Sequence, residues 1–477
     1  MGDLIAELAG ITGHENCLSG DDDRAKYDND IIGQYKGRSL AVVKPANTDE
    51  VSRILSLANA VRVPVVPLSG NTGLSGGGYP GEDEAIILSL ERMNRIRQIN
   101  TDSHVAIVEA GVVLANLHAA VEEHDLVFPL MFGARGSCMI GGNLATNAGG
   151  SNVVRYGNTR ALCLGLEAVL ADGTVVDLMS ELHKDNTGYD LKDLFIGSEG
   201  TLGVITAAVL KLFPKPAAYA TAMVSVPDIG GALKLLHRIQ IASGGGVEAF
   251  EYMPRTYFEH LARIDPKAQL PFDPLPEVGI MVEVAATAPA DAAPGEDGRL
   301  PVVARLEAVL EELFETGEVL DAVVAQTEAQ RAEMWRQREM AFQVATSRGM
   351  PVATDIAVPL DKVGTFLERA DAALAKAFPG AEAVVVAHLG DGNLHYSVWV
   401  DPGDPSAAGA AEHEAVHNLV EDVVRDLGGS FSAEHGVGLS KRGSMARYKD
   451  KGALKAMQAI KAALDPNNIM NPGKVLP

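Results

Sequence analysis

The sequence predicts a multidomain protein that mixes helices and strands, and three observations lead there. At 477 residues the chain exceeds what one ordinary core organises, so two or three domains are expected. From residue 41 to about 213, short apolar strands are broken by glycine-rich turns, and Pro214 and Pro216 punctuate the end of that stretch. From about 219 to 464 the pattern changes to long helical segments alternating with longer strands.

Composition narrows the class. Hydrophobic residues make up 47% and charged residues 22%, the balance of a folded globular enzyme rather than a disordered or fibrous chain. The formal net charge of -23 argues against a nucleic-acid partner, which needs a basic patch, and against a polybasic membrane contact. The three cysteines, Cys17, Cys138 and Cys163, form no CxxC pair and fit a reducing compartment. The opening MGDLIAELAG lacks the basic and apolar regions of a secretory signal, and Ala6 stands where a myristoylation site needs Ser or Thr. No apolar run approaches the roughly 20 residues that span a bilayer, so no transmembrane segment and a cytoplasmic location are expected.

Taken in order, the stretch to about residue 36 is polar, with Asp21, Asp22 and Asp23 in a run, and reads as an ordered surface arm or short helix. AVVKP is a short strand; DEVSRILSLANAV has helical spacing with Thr48 or Asp49 as N-cap; VPVVPL is a second strand. The first glycine-rich segment follows at once, PLSGNTGLSGGG (67–78). Its glycines permit positive φ and let backbone N–H groups approach an anion, Asn71 and Thr72 add donors, and a pyrophosphate is the natural partner. No Gly-Lys-Ser/Thr follows, and no clean GxGxxG opens a helix. The second segment, GARGSCMIGGNLATNAGGSNVVRYGN (133–158), is rich in small residues and punctuated by Asn143 and Asn147, which suits a ligand lying against the backbone. In the third, DNTGYDLKDLFIGSEGTLGVIT (185–206), Glu199 sits among glycines just before a strand. Beyond Pro216, GGALKLLHRIQIA, VARLEAVLEELFE and AEHEAVHNLVEDVVRDL have helical periodicity, and ATAPADAAPGEDG (286–298) reads as a flexible surface loop.

The densest chemistry lies in AVVVAHLGDGNLHYSVWV (383–400), where two apolar strands flank Gly390-Asp391-Gly392-Asn393, a strong hairpin signal. With Leu389 and Leu394 flanking the turn, His388 and His395 become directly opposed on one face, their Cβ atoms about 5 Å apart, and can share one metal ion. Ser432-Ala433-Glu434-His435-Gly436 offers a carboxylate and another imidazole, and such N and O donors suit Zn²⁺ or Mn²⁺.

SGNTGLSGG, GSCMIGGNLATNAGG, LKDLFIGSEGTLGVIT, HLGDGNLHYSV, AEHGVG and the terminal NPGKVLP run in one order from about Arg38 to the C-terminus. Together they resemble the FAD-binding oxidases and dehydrogenases typified by vanillyl-alcohol oxidase, and are most similar to the branch acting on D-lactate, glycolate and D-2-hydroxyglutarate. The resemblance implies an α+β fold: an N-terminal arm (1–37), a two-subdomain FAD-binding domain (38–216), an antiparallel α+β cap domain with the metal site (217–464), and a C-terminal return to the FAD domain (465–477). It implies that Pro67, Ser69, Gly70, Asn71, Thr72, Gly73 and Leu74, with Gly141, Gly142 and Asn143, surround the pyrophosphate and adenosine side of FAD. Ser137, Ala148, Gly149, Glu199, Gly200, Ile205 and Asn471 would also lie near FAD. Some relatives attach the flavin through a histidine in the first glycine loop; this loop has none, so non-covalent FAD is expected.

The resemblance also assigns His388, His395 and Glu434 as metal ligands, His435 as catalytic base and Arg338, in MWRQREMAF, as the holder of the substrate carboxylate. The implied reaction is oxidation of a D-2-hydroxy acid: the metal orients carboxylate and hydroxyl, His435 takes the hydroxyl proton, and the C2 hydride passes to the flavin. Members acting on 2-hydroxyglutarate carry a threonine, a lysine and an asparagine for the distal carboxylate, where this chain has Phe342, Ala353 and Ser397. A monocarboxylic substrate, lactate or one with a larger apolar side chain, is therefore expected, with D-2-hydroxyglutarate as the alternative. Two further readings are a metal-independent flavin oxidase acting on phenols, sugars or ether-lipid precursors, and a binding module without catalysis. The electron acceptor (quinone, electron-transfer flavoprotein, cytochrome or oxygen) and the oligomeric state, a homodimer among the options, stay open at this point.

Overall fold

The computed structural model describes residues 2–31, 33–82, 85–296, 298–401, 403 and 409–477. Two compact units divide the chain. The first comprises Met1–Gly149, Gly157–Pro214 and Glu434–Pro477; the second comprises Gly150–Tyr156 and Lys215–Ala433. The chain thus returns to the first unit at Glu434, well ahead of the expected residue 465, because the segment after Glu434 is tied there by hydrogen bonds. Ser75 Oγ donates to the carbonyl of His435 at 3.0 Å, and Lys461 Nζ donates to the carbonyls of Thr201 and Met470 at 2.8 and 2.7 Å.

In the first unit the stretch expected as a surface arm or short helix is helical and contributes to the core. Helix Gly2–Thr12 buries Leu8 completely, against a cluster that includes Val51, Ile54, Leu55 and Ile86. Those neighbours belong to helix Thr48–Val61, which buries Val51, Ile54, Leu55 and Ala58 at helical spacing, and to a four-stranded sheet. That sheet runs in the order Cys17–Leu18, Ala41–Val43, Ile86–Ser89, Val65–Leu68, and its last three strands are parallel. The helix is capped at Asn47, one residue before Thr48 and two before Asp49. Asn47 Oδ1 accepts the Glu50 N–H at 2.9 Å while the Glu50 carboxylate reaches back to the Ala46 N–H at 2.8 Å, and this reciprocal pair fixes the start. A second, antiparallel sheet orders Ile96–Asn100, Val105–Glu109, Val204–Lys211, Cys163–Val169 and Val175–Leu178.

Between Phe195 and strand Val204–Lys211 the backbone turns through Glu199, whose φ is +51°. A non-glycine residue in that region needs a compensating interaction. Here the carboxylate accepts the N–H groups of Val437 and Gly438 at 2.7 and 2.8 Å. Burial pushes the Glu199 carboxyl pKa up, against the downward pull of those two donors. Asn471 Nδ2 closes the same region by donating to the carbonyls of Gly77 and Glu199 at 3.0 and 2.8 Å.

The second unit is built on a seven-stranded, fully antiparallel sheet in the order Asp321–Val324, Ala218–Val226, Val278–Ala286, Val247–Pro254, Glu382–His388, Asn393–Trp399, Val352–Ala357. Strand alternation splits its side chains between two clusters. Val224, Ile280 and Val282 pack with helices Ile229–Ser243, Pro301–Glu315, Val363–Ala377 and Ala410–Asp426. Met223, Met253 and Met281 face the opposite way, onto Arg255–Ile264, Glu328–Glu339 and Ala341–Ala345. The segment expected as a loop over 286–298 contains a one-turn helix, Pro289–Ala292, and residue 297 lies outside the described residues.

Two consequences are measurable by chemical denaturation. Leu8→Ala empties a fully buried site in the first unit, so the unfolding free energy should fall by about 2–5 kcal/mol; an unchanged midpoint would return the first helix to the surface. Glu199→Ala strands two N–H donors at about 1–3 kcal/mol each, whereas Glu199→Gln retains one acceptor oxygen, so the alanine variant should be the less stable of the two.

Candidate functional site

In the first unit the chain leaves strand Val65–Leu68 into the loop over 69–78. Among the described residues, none of the backbone N–H groups of 70–78 donates to a protein acceptor. A run of unsatisfied donors on a glycine-rich turn is the chemistry of an anion cradle. Asn143, only 4% exposed on helix Ile140–Thr146, leaves its Nδ2 without a partner, and the Oδ1 of buried Asn471 is likewise unpartnered. Such orphaned buried groups need a ligand or water to satisfy them. The residues present therefore fit FAD: the loop donors and the Asn143 amide suit its phosphate and carbonyl oxygens, and Asn471 offers an acceptor.

Several glycines expected around the cofactor pack closely against protein on the side where a Cβ would project. A Cβ on Gly70 would fall 2.9 Å from the Ser137 carbonyl, one on Gly141 would meet Ala110 Cβ at 2.7 Å, and one on Gly142 the Ser69 carbonyl at 2.5 Å. The first and second glycine segments thus clasp each other, helped by the Ser69 hydroxyl donating to the Ala110 carbonyl at 3.0 Å. Gly200, at φ +73°, backs onto Pro67, and Ala148 is held by its N–H to the Asn143 carbonyl at 2.8 Å. Gly73, by contrast, has nothing within 4 Å of a built Cβ, Leu74 is 41% exposed, and Thr72 is half-buried. Asn71, at φ +50°, has its Nδ2 engaged with the Asn29 carbonyl at 2.9 Å. Ser137 is exposed and Ile205 is buried in strand Val204–Lys211. Glu199, expected near FAD, commits its carboxylate to the 437–438 turn. Gly149 lies against the Glu434 side chain, where a Cβ would come within 2.5 Å of Oε1.

In the second unit the histidine hairpin forms with a different register. His388 pairs with Asn393, and His395 with Val386, so the histidines are diagonal rather than directly opposed. The turn closes earlier because Gly392, at φ +80°, ends it and Asn393 is pulled into the ladder. The Asn393 N–H donates to Asp391 Oδ1 at 3.1 Å, and its Nδ2 donates to Asp355 Oδ1 and the Ile356 carbonyl at 2.9 and 3.0 Å. The diagonal pair still shares one face, with ring centroids 5.4 Å apart and planes at 82°.

Each imidazole has a buried carboxylate as its direct cross-strand neighbour, Glu251 opposite His388 and Asp355 opposite His395. Glu251 Oε1 lies 2.9 Å from His388 Nδ1, and Asp355 Oδ1 lies 3.7 Å from His395 Nδ1. On its other oxygen Glu251 accepts the Arg338 Nε–H at 2.6 Å. Burial drives the Glu251 pKa upward, but His388 and Arg338 outweigh it and hold the carboxyl at about 2. Asp391, in the turn, is pushed up to about 6 by burial despite the nearby His388. Arg338 is 8% exposed near the end of helix Glu328–Glu339, and among the described residues its terminal amino groups take no partner.

Ser397 is buried on the same strand face as His395, directly opposite Ala353. Phe342, expected to line the substrate pocket, is 63% exposed on helix Ala341–Ala345. Sequence reasoning missed Glu251 and Asp355. The signal for Asp355 was a lone charge in the apolar strand VATDIAV; Glu251, in AFEYM, gives the same kind of signal. Glu434 and His435 open the segment that returns to the first unit, and the Ala433 N–H just before them bonds the Asp355 carbonyl at 3.3 Å within the second.

The comparisons agree with this architecture. The family profile described as "FAD binding domain" matches residues 39–179, and "FAD linked oxidases, C-terminal domain" matches 215–475. A protein of Oryza sativa subsp. indica named "Probable D-2-hydroxyglutarate dehydrogenase, mitochondrial" is 38% identical over 476 residues, 100% of this chain and 82% of the relative. The D-2-hydroxyglutarate dehydrogenase of Xanthomonas citri pv. viticola is 36% identical over 455 residues, 95% of this chain and 92% of the relative. Among solved structures, p-cresol methylhydroxylase superposes with a TM-score of 0.76 at 18% identity, covering 99% of this chain and 96% of that one. The 4-ethylphenol oxidase of Gulosibacter chungangensis gives a TM-score of 0.72 at 18% identity, covering 100% and 97%. These two share the vanillyl-alcohol oxidase type of fold expected from the sequence, and no helix among the described residues is long and apolar enough to cross a membrane. With matches to both domains of the FAD-linked oxidases and full-length relatives well above 30% identity, the chain belongs to the FAD-linked oxidase family.

Proposed function

We propose that this FAD-dependent oxidoreductase oxidises a D-2-hydroxy acid to the 2-oxo acid, with non-covalent FAD and a divalent metal held by His388, His395 and Glu434. The observation that carries the reading is the carboxylate-backed histidine pair beside Arg338, whose terminal donors take no partner among the described residues. Two imidazoles with Nδ1 turned to carboxylates present Nε2 on one face, which is how metal-binding histidines are usually supported. Together with Glu434 the donor set suits Zn²⁺, with Mn²⁺ as the alternative. When bound, FAD supplies the hydride acceptor and the metal a Lewis acid for the substrate oxygens.

The chain's own residues do the rest. Arg338 offers its unpaired guanidinium edge to the substrate carboxylate, a forked contact that fixes orientation. His435 takes the proton of the 2-hydroxyl, a task suited to a group whose ordinary pKa lies near neutrality. The reading is supported by relatives named D-2-hydroxyglutarate dehydrogenase at 34–38% identity over nearly the whole chain. A cytoplasmic location is proposed on the three buried, unpaired cysteines.

For the substrate, the row beside His395 favours a single carboxylate. Val384, Ser397 and Ala353 lie opposite one another there, and none of them is a cation that would hold a distal carboxylate. The names of the relatives favour D-2-hydroxyglutarate as the second reading.

Two experiments test these statements. His388→Ala and His435→Ala proteins should keep their flavin absorbance yet lose turnover with an artificial acceptor by about 100-fold or more, and chelator treatment should inactivate the wild type. Near-normal rates in either variant, or full activity after metal removal, would favour a metal-independent flavin oxidase. Specificity constants measured across D-lactate, longer aliphatic and aromatic D-2-hydroxy acids, malate and D-2-hydroxyglutarate should peak at a monocarboxylate. A clear preference for a dicarboxylate would install the second reading.

A further inference from the structure

We infer that Glu251 is a positioning residue of the reaction site, one buried carboxylate that fixes His388 for metal ligation and Arg338 for substrate binding at the same time. The inference rests on the reading of the site just proposed and extends it to a residue that touches neither metal nor substrate.

The argument starts from the strand register. Glu251 sits on Val247–Pro254 directly opposite His388 on Glu382–His388, so the two side chains leave the sheet as nearest cross-strand neighbours. Glu251 Oε1 meets His388 Nδ1 at 2.9 Å. A carboxylate accepts only, so the imidazole donates from Nδ1 and the lone pair is left on Nε2, the tautomer a metal requires. The ring is also held in one orientation, which spares the entropy of ordering it when the ion binds.

The second oxygen does equivalent work on Arg338. Oε2 accepts the Nε–H at 2.6 Å, on the lateral edge of the guanidinium. The edge formed by the two terminal amino groups is left over, and a forked carboxylate contact needs that edge. The arginine has little freedom otherwise, since the Tyr257 hydroxyl pins the preceding carbonyl, that of Gln337, at 2.6 Å. With 1% exposure, Glu251 reaches no solvent of its own. A charge so buried, among Met253, Met281, Tyr257 and Val386, is costly unless both oxygens are satisfied, and an apolar side chain would pack there at lower cost. Its presence is explained by what it orients.

The test uses the full-length holoprotein. Glu251→Gln, His388→Asn, the double variant and Glu251→Asp are purified with FAD, freed of metal and titrated with Zn²⁺ against a chromogenic chelator. KM for the best 2-hydroxy acid is then measured in metal-loaded protein. Glutamine has one acceptor oxygen for two donors, so Glu251→Gln should bind Zn²⁺ about 10–100-fold more weakly at unchanged flavin content, and KM should rise. In the His388→Asn background the same change should cost no further Zn²⁺ affinity, because its route to the metal is already gone. Glu251→Asp keeps the charge but loses the reach, and should lose Zn²⁺ affinity or raise KM even where Glu251→Gln does not fold. Wild-type Zn²⁺ affinity and KM in Glu251→Gln, or in Glu251→Asp, overturn the inference. So does an equal further loss in the His388→Asn background, which marks general disruption of the sheet. If His388→Asn loses Zn²⁺ while Glu251→Gln keeps it, the inference alone fails. If His388→Asn binds Zn²⁺ as tightly as the wild type, the metal site fails and the inference falls with it.

Discussion

A charge inside a sheet must be matched by charge, and the second unit is organised around one such match. Glu251 lies in the middle of a seven-stranded sheet whose two faces are filled largely by valine, isoleucine, methionine and aromatic side chains, with Glu248, Glu283 and Asp355 as further buried carboxylates. An isolated carboxylate there would be neutralised or expelled. His388 on the adjacent strand and Arg338 on the covering helix reverse that outcome and hold it ionised. The helix must approach closely enough for a 2.6 Å contact, the hairpin must keep its register, and the two apolar clusters must seal the strands around it. Each requirement restricts the geometry of groups that end at the surface of the site.

The first unit uses the same logic with backbone groups. Its turns carry donors that cannot be paired within regular structure, and each set has a dedicated acceptor or is left for a ligand. Glu199 takes the two N–H groups of the 437–438 turn while its own backbone sits at positive φ. Asn471 bridges the carbonyls of Gly77 and Glu199. Among the described residues the N–H groups of 70–78 have no protein acceptor, and a pyrophosphate can use them.

How much of this was legible beforehand depends on whether the information was local. Helix Thr48–Val61, the helices Ile229–Ser243 and Pro301–Glu315, and the strands of the histidine hairpin follow from periodicity and turn chemistry, which a single sequence displays. The N-cap at Asn47 and the burial of Leu8 were missed because a reciprocal bond with Glu50 and a partner helix decide them. That the Cβ side of Gly141 and Gly142 packs against Ala110 and Ser69 needs the fold to be seen. The charge of Glu251 in an apolar strand was visible, but its role was not, for the same reason. Glu251 lies 137 residues from His388 and 87 from Arg338, and nothing in AFEYM reports what the strand will meet.

The register of the hairpin shows why the local reading of the histidines was close yet incomplete. Had His388 and His395 been directly opposed, each imidazole would have had the other as its nearest cross-strand neighbour, two donors competing for one place. The observed register moves the pairing by two residues along one strand, which preserves the face and separates the rings diagonally. The separate registers with the two flanking strands place a carboxylate opposite each ring, Glu251 from one flank and Asp355 from the other. The sheet thereby alternates acceptor, imidazole, imidazole, acceptor across four adjacent strands. Solved structures that share the fold at 18% identity act, by their names, on phenols rather than hydroxy acids. A shared fold leaves the chemistry open; in this chain the chemistry is written in which residues that register places side by side.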